Sequence, residues 1–238
     1  MNLFSLIKKD REYWLVDQVK GVKKNNEDYL IAFTTLLDEW NAEKVGYLSL
    51  LMDEENEDWL LKRGFNKVSS IVEYTRNLEE TFNPTMEIKV DTLSESHLSD
   101  SAFAELYESC RSGSANKNKL FSIDQIMESF VNELGSKWRE HCYIFSNGKQ
   151  ALGISIPHIE EGTRDEGRLF YFGVVPEQRG KGYGTVFHLL SLEIMKRFGA
   201  KSYVGSTDEN NQHMIRIFET NGCTLRDKKG IYRINRKQ

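Results

Sequence analysis

From residue 86 to residue 237 the apolar positions change period several times, and each change marks an element. "MEIKVDTL" predicts a strand. In "HLSDSAFAELYESC", Leu98, Ala102, Leu106 and Cys110 recur at the spacing of one helix face. "FSIDQIMESFVNEL" predicts a second helix, with Ser122 as its N-cap. "HCYIFSNGKQALGISI" reads as a hairpin turning at Asn147-Gly148. Pro157 is expected to interrupt the strand that follows this turn. After the polar loop "EEGTRDEG", the apolar run "RLFYFGVV" predicts a strand. A glycine-rich stretch and a helix over 185–198 come next, the helix closed by Gly199. "KSYVGST" predicts a strand. "NNQHMIRIFETN" predicts a helix with Met214, Ile217 and Phe218 on one side and Gly222 behind it, and "GIYRINRK" a last strand. The expected order is β-α-α-β-β-β-α-β-α-β, an α/β domain built on a mixed sheet.

The earlier part of the chain echoes the end of this domain. "EKVGYLSLLMDEENEDWLLKRGFNKVSSIVEYTRNL" and "AKSYVGSTDENNQHMIRIFETNGCTLRDKKGIYRINRK" both read as strand, acidic or Asn-rich turn, short helix, glycine, strand. Aligned on Gly64 and Gly222, they make an internal repeat. "DYLIAFTTLLDEWN" takes the place of the helix after the glycine stretch, and "VKGVKKNNED" the place of the stretch itself. The expected organisation is a partial copy over 1–80 and a full domain over 86–238. "LEETFNPTM", with Pro84, is the candidate linker.

Composition narrows the class. The 238 residues carry a net charge of -4, which argues against a nucleic-acid partner held by bulk charge. Cys110, Cys142 and Cys223 are far apart and in no metal-ligating spacing, so neither a disulfide framework nor a metal site is expected. Buried thiols in a reducing cytoplasm are the simpler reading. The first residues, "MNLFSLIKKDREYW", are charged too early for a signal peptide, and no apolar run reaches membrane-spanning length.

The chemistry concentrates in "VVPEQRGKGYGT". Gly180, Gly182 and Gly184 alternate with Lys181 and Tyr183, after Arg179 and before Thr185. Bare backbone lets several N–H groups approach one bulky anion. The helix that follows adds the positive end of its dipole, and the two cations add charge. These are the parts of a pyrophosphate cradle. A dinucleotide fingerprint needs its third glycine one place later, and a Walker loop needs GxxxxGK followed by Ser or Thr.

"VVPEQRGKGYG" resembles the R/Q-x-x-G-x-G/A signature of the GNAT acyltransferase superfamily, through Arg179, Gly182 and Gly184. "NQHMIRIFETNGC" is similar to the family's later helix, N-x-x-A-x-x-L-Y-x-x-x-G-F, through Asn211, Met214, Ile217, Phe218, Gly222 and Cys223. The element order from Met86 to Lys237 matches that fold. The resemblance implies a GNAT domain preceded by a half-copy that lacks the binding signature. It implies acetyl-CoA or another coenzyme A thioester as donor, with its pyrophosphate on the amides of Arg179, Gly180, Lys181, Gly182, Tyr183, Gly184 and Thr185. It implies a bulged strand whose backbone at Gly173, Val174 and Val175 pairs with the pantetheine arm, the Gly173 region supplying the oxyanion donor. Asn211 would touch the pantetheine or cysteamine end. The acceptor would be an amine of a small molecule or a peptide.

Two departures from that pattern stand out. Where many members carry the tyrosine that protonates sulfur, this chain has Phe218, which leaves Tyr171, Tyr203, Tyr232, Thr220 or water for that role. No glutamate occupies the strand before the cradle; Leu169, Phe170, Tyr171 and Phe172 stand there. Glu160, Glu161, Asp165 and Glu166 lie one loop earlier, either as a solvated acidic loop or as an attraction for a cationic amine, with Glu166 the candidate base. His158 is a candidate base or a structural residue. His188 reads as a residue of the post-loop helix, His213 as a helix-surface residue, and Trp14, Trp40, Trp59 and Trp138 as core aromatics. The expected activity is an N-acyltransferase working by direct attack on the thioester. A non-catalytic acyl-CoA-binding regulatory module is the alternative. The half-copy either completes the sheet, covers the acceptor groove or makes a homodimer contact.

Overall fold

The computed structural model describes residues 3–9, 11–18, 27–80, 86–113, 122–160 and 162–236. In chain order the elements are β1 (Phe4–Lys9), β2 (Tyr13–Gln18), α1 (Glu27–Ala42), β3 (Tyr47–Asp53), α2 (Glu57–Leu61), β4 (Asn66–Asn77) and β5 (Lys89–Thr92). There follow α3 (Asp100–Arg111), α4 (Ile123–Leu134), α5 (Trp138–His141), β6 (Tyr143–Ser146), β7 (Ala151–Ile159) and β8 (Glu166–Val174). The last are α6 (Tyr183–Arg197), β9 (Ser202–Asp208), α7 (Gln212–Thr220) and β10 (Thr224–Asn235). No helix among the described residues is long and apolar enough to cross a membrane.

The chain forms two compact units, Met1–Val72 with Asp227–Gln238, and Glu73–Arg226. The sequence reading set its break between residues 80 and 86. The compact units instead divide inside β4, after Val72, and inside β10, after Arg226. Residues 81–85 of the expected linker lie outside the described residues. Leu78 is tied down, its N–H donating to the Lys201 carbonyl, and Lys196 Nζ donates to the carbonyls of Glu79 and Glu80.

In the first unit the strand order is β1-β2-β3-β10-β4. β2 and β3 run parallel and pair at five successive positions, Tyr13↔Tyr47 to Asp17↔Leu51. α1 is the crossover between them, and it buries Tyr29, Phe33, Leu36 and Trp40, one helical face. These pack with Trp14, Leu48, Leu60, Phe65 and Tyr232. The stretch "VKGVKKNNED" falls largely outside the described residues.

In the second unit the order is β4-β9-β8-β7-β6-β5. α3 and α4 cover one face, with Phe103, Phe130, Ile154 and Ile156 in their core. Phe187 of α6 packs the other face with Phe145 and Leu152. Ser122 caps α4 as expected, and Gln125 completes a capping box. β7 is not broken by Pro157. The register with β8 shifts between Ile156 and Pro157, so that Phe170 becomes an extra residue on β8. A missing N–H costs nothing where the ladder is already interrupted. The bulge also turns Phe170 and Tyr171 toward the same α3–α4 side, while Phe172 and Val174 point to α6.

Candidate active site

β8 and β9 begin as a parallel pair and then part. Their register covers only Glu166↔Ser202 and Gly167↔Tyr203. From Arg168 onward β8 keeps its antiparallel partner β7 on one side, down to Val174. Its other side is left with backbone groups that no strand pairs. Which groups these are follows from the ladder. Val175 N–H donates to the Leu152 carbonyl at 3.0 Å. Residues of an antiparallel strand alternate between facing the partner and facing away. Val175 and Gly173 therefore turn to β7, and Val174 and Phe172 turn to the parted side. The bulge that the sequence reading set at Gly173–Val175 lies at Phe170.

The glycine stretch follows directly. Pro176–Gln178 makes one 3-10 turn, and α6 starts at Tyr183. Gly180 and Gly182 have φ of +76° and +83°, a left-handed region that side chains disfavour. A Cβ on Gly180 would meet nothing within 4 Å, so the chain there is open to a ligand. Gly184 is bare for another reason: a Cβ would lie 2.8 Å from Ile217 Cδ1, so the missing side chain lets α7 approach α6. α3, α4 and α7 are closed by the side chains of Ser99, Ser122 and Asn211. α6 has Gly182 at its N-cap and no side-chain cap. No side-chain cap takes its first-turn amides among the described residues, and they lie at the positive end of a long helix.

Arg179 and Lys181 brace this turn. Arg179 Nε donates to the Val174 carbonyl at 3.1 Å, and its Nη2 to the Cys110 carbonyl, at the end of α3, at 2.9 Å. Lys181 Nζ donates to the Glu177 carbonyl and to Gln178 Oε1. Neither bonds a carboxylate among the described residues, so both charges remain at the helix start.

Gly173 is bare because Tyr171 lies along the strand. A Cβ there would sit 2.7 Å from the Tyr171 hydroxyl and 3.0 Å from Cys110 Cβ. Tyr203 lies in the same way over Gly205 on β9. Burial pushes the Cys110 and Cys223 thiols up to about 12, which leaves them un-ionised.

The polar candidates are mostly spoken for. Asn211 is nine-tenths buried, takes the Met214 N–H on Oδ1 and donates through Nδ2 to Thr207 Oγ1, so it works as the cap of α7. Glu166 meets Arg168 through Oε1 and Arg226 through Oε2. Glu160 meets Arg168 and His158, and Asp165 lies 3.9 Å from Lys201. The acidic loop is locally neutralised rather than presented to an acceptor; Glu161 lies outside the described residues. Thr220 and His213 are exposed on α7.

Phe218 is buried, stacked on Tyr74 and flanked by the rings of Tyr203 and His188. His188 faces the sheet, fully buried, its ring edge-on to Phe172 and Tyr203. Asn221 Nδ2 donates to the Thr185 carbonyl and reaches His188 Nδ1 at 2.9 Å. The carbonyl fixes that end of the amide as the donor, so Nδ1 accepts and the hydrogen sits on Nε2. Burial, then the charge of Arg76, lowers the His188 pKa to about 3. The sequence showed a histidine in a helix; only the packing shows a neutral one.

The model of the acetyltransferase (GNAT) family matches residues 101–223. A protein from Schizosaccharomyces pombe described as N-alpha-acetyltransferase 30 is 26% identical over 114 residues, 43% of this chain and 76% of that protein. Among solved structures, a GCN5-related N-acetyltransferase from Sphaerobacter thermophilus superposes with a TM-score of 0.73 at 13% identity, over 98% of this chain and 76% of that one. A tandem GNAT protein from the clavulanic acid biosynthesis pathway superposes with a TM-score of 0.65 at 12% identity, over 98% and 79%. At such identities the two structures speak for the fold.

Proposed function

The chain belongs to the acetyltransferase (GNAT) family, and on that premise we propose that it transfers the acetyl group of acetyl-CoA to an amine by direct attack on the thioester. The observation that carries this reading is the parting of β8 from β9 beside an uncapped helix start. Acetyl-CoA supplies an activated acyl carbon and a thiolate leaving group. The amides of Gly180, Lys181, Gly182, Tyr183, Gly184 and Thr185 hold its pyrophosphate, with Arg179 and Lys181 adding positive potential from braced positions. The Val174 N–H and the Phe172 carbonyl pair with the pantetheine arm as a missing strand would, the Val174 carbonyl being held by Arg179 Nε. Val175 contributes by fixing the strand, since its own amide is spent on Leu152. The Phe172 amide, one residue before Gly173, faces the acyl oxygen and stabilises charge there. Asn211 acts by holding α7 in place. Both Glu166 oxygens are engaged by arginines, so the amine loses its proton to water. Within this reading residues 86–238 carry the transfer, and the copy over 1–80 binds no coenzyme. The name of the S. pombe relative supports a peptide amine as acceptor over a small-molecule amine.

Calorimetric titration with acetyl-CoA should give one site per chain. Thiol release with a panel of amines that includes N-terminal peptides should show turnover. Absence of binding would sink the reading, and tight binding with no thiol release against any amine would make the protein a binding module.

A further inference from the structure

A buried N–H without an acceptor costs a folded chain free energy, and native chains leave few of them. The Nε2–H of His188 is such a donor. The imidazole is fully buried. Its Nδ1 accepts from Asn221 Nδ2 at 2.9 Å, and that amide is held in place by its second donation, to the Thr185 carbonyl. The hydrogen therefore sits on Nε2. Nε2 is itself buried and has no hydrogen-bond partner among the described residues. The surroundings limit what it can take. Three rings meet the imidazole at steep angles: Phe172 of β8 at a centroid distance of 5.8 Å, Tyr203 of β9 at 5.2 Å and Phe218 of α7 at 5.5 Å. Phe172 and Phe218 carry no acceptor, and the Tyr203 hydroxyl lies over Gly205, further along β9. The acceptor therefore comes from outside the chain. An anion would give up its hydration here for a single N–H, so the ligand is small and uncharged.

We propose that the Nε2–H of His188 binds one internal water on the α6 face of the parted strands, and that this water gives its own hydrogens to backbone carbonyls left unpaired where β8 leaves β9. An internal water needs two or more polar partners, and the rings around His188 show where they are. Tyr203 is the last residue of β9 that pairs with β8, and Phe172 stands on the stretch of β8 that keeps only β7. The carbonyls of that stretch have lost their ladder bonds on the β9 side. A water fixed from below by the imidazole takes the place of those bonds, so the strands part without stranding their acceptors. An aliphatic side chain at position 188 could not supply the donor. Burial, then the charge of Arg76, lowers the ring's pKa to about 3, so the neutral form with its hydrogen on Nε2 persists through the neutral range. The site is independent of the acetyl-transfer reading, since it needs no coenzyme.

The test uses the full chain without coenzyme, labelled with 15N-histidine. The 15N shifts of His188 report the tautomer, and cross-relaxation between the Nε2 hydrogen and water reports a long-lived water beside it. A crystal structure of the same protein places the oxygen. The expected result is a hydrogen on Nε2, a cross-peak to bound water, and an ordered oxygen about 2.7–3.2 Å from Nε2. In His188→Leu the ordered oxygen should be lost. Three results overturn the proposal. The first is a hydrogen on Nδ1. The second is a dry cage, with the Nε2 hydrogen directed at the face of a ring. The third is the same ordered water in His188→Leu, because the backbone would then hold it without the imidazole. The first two are read on the wild type, so they decide the matter even where the leucine variant does not fold.

Discussion

Two parallel strand pairs among the described residues, β2–β3 and β8–β9, are each joined by a crossover helix, and they end differently. β2 and β3 stay zipped through five paired positions, whereas β8 and β9 separate after two. Both are followed by a short helix and a left-handed glycine, Gly64 with φ +86° and Gly222 with φ +68°. The element order is the same, β-α-β-α-β. What differs is whether the backbone between the strands is spent. A zipped pair satisfies its own N–H and C=O groups and offers nothing to a ligand. A parted pair leaves donors and acceptors in line, and an extended arm can use them. A site can therefore arise in this topology through the loss of a few ladder bonds, provided an anion-holding turn lies at the open end. One unit has the parted pair and a glycine-rich turn at its open end. The other has the zipped pair and, in its sequence, a single glycine where the turn would be.

The strongest way to break this comparison is at the turn. Gly182→Val and Gly64→Val both place a branched side chain at a positive φ, which costs about 1–3 kcal/mol of strain in either unit. Only Gly182→Val should weaken acetyl-CoA binding, by about a hundredfold, or ~2.7 kcal/mol. Calorimetry with Tm recorded for both variants decides it. Equal affinities would mean that the glycine turn is not the anion site.

A second prediction concerns the imidazole beneath the parted strands. The unfolded chain binds a proton on His188 near pH 6.5, and the folded chain only near pH 3. Between these values the unfolded state holds more protons, so folding stability falls as the pH falls, by up to ~1.4 kcal/mol per pH unit. Above pH 6.5 this group contributes no pH dependence. His188→Phe should flatten the slope of urea-unfolding free energy between pH 6 and 4, a window inside that range. An unchanged slope would mean that the ring is not held neutral. In the same cluster, Asn221→Ala removes two donations at once and should cost about 2 kcal/mol in the same assay at pH 7.

The smallest expected effect is at Phe218. Counting back equally from Gly64 and Gly222, its counterpart in the first unit is Leu60, a fully buried core residue. Phe218 is equally a packing residue, at 1% exposure. Phe218→Tyr should leave thiol release within roughly tenfold, about 1.4 kcal/mol of barrier. A variant that is active where the wild type is silent would reverse the reading in favour of a module that lost its acid.

Much of this was legible in the sequence, and the rest had physical reasons to stay hidden. The helices over α3, α4, α6 and α7 announce themselves by period and cap. The turn at Gly180–Gly184 shows by glycine spacing. The β1–β2 hairpin does not, because Ile7 and Leu15 are exposed apolar residues that spoil the alternation of Phe4, Trp14 and Val16. Periodicity reports which face of a strand is buried, not which strand lies beside it. The neighbours of β3 and β9, and the point where β8 and β9 separate, were therefore out of reach. The three glycines looked alike and serve different ends: two take a left-handed backbone, and Gly184 yields room to Ile217. The bulge was read three residues late because Pro157, taken for a strand breaker, is what marks it.

The place of β10 beside β3 sets an order on biosynthesis. β3 is flanked by β10, and Tyr232 of β10 bonds Glu57 across 175 residues of chain. A ribosome moving at about 5–20 residues per second has released the whole first segment several seconds before β10 exists. Until then β3 has an open edge, with the apolar side chains of Leu48, Leu50 and Met52 short of their final cover. The nascent chain must hold this edge in waiting while the second unit is still being made. Its exposure to other chains and to chaperones during those seconds follows from strand order alone.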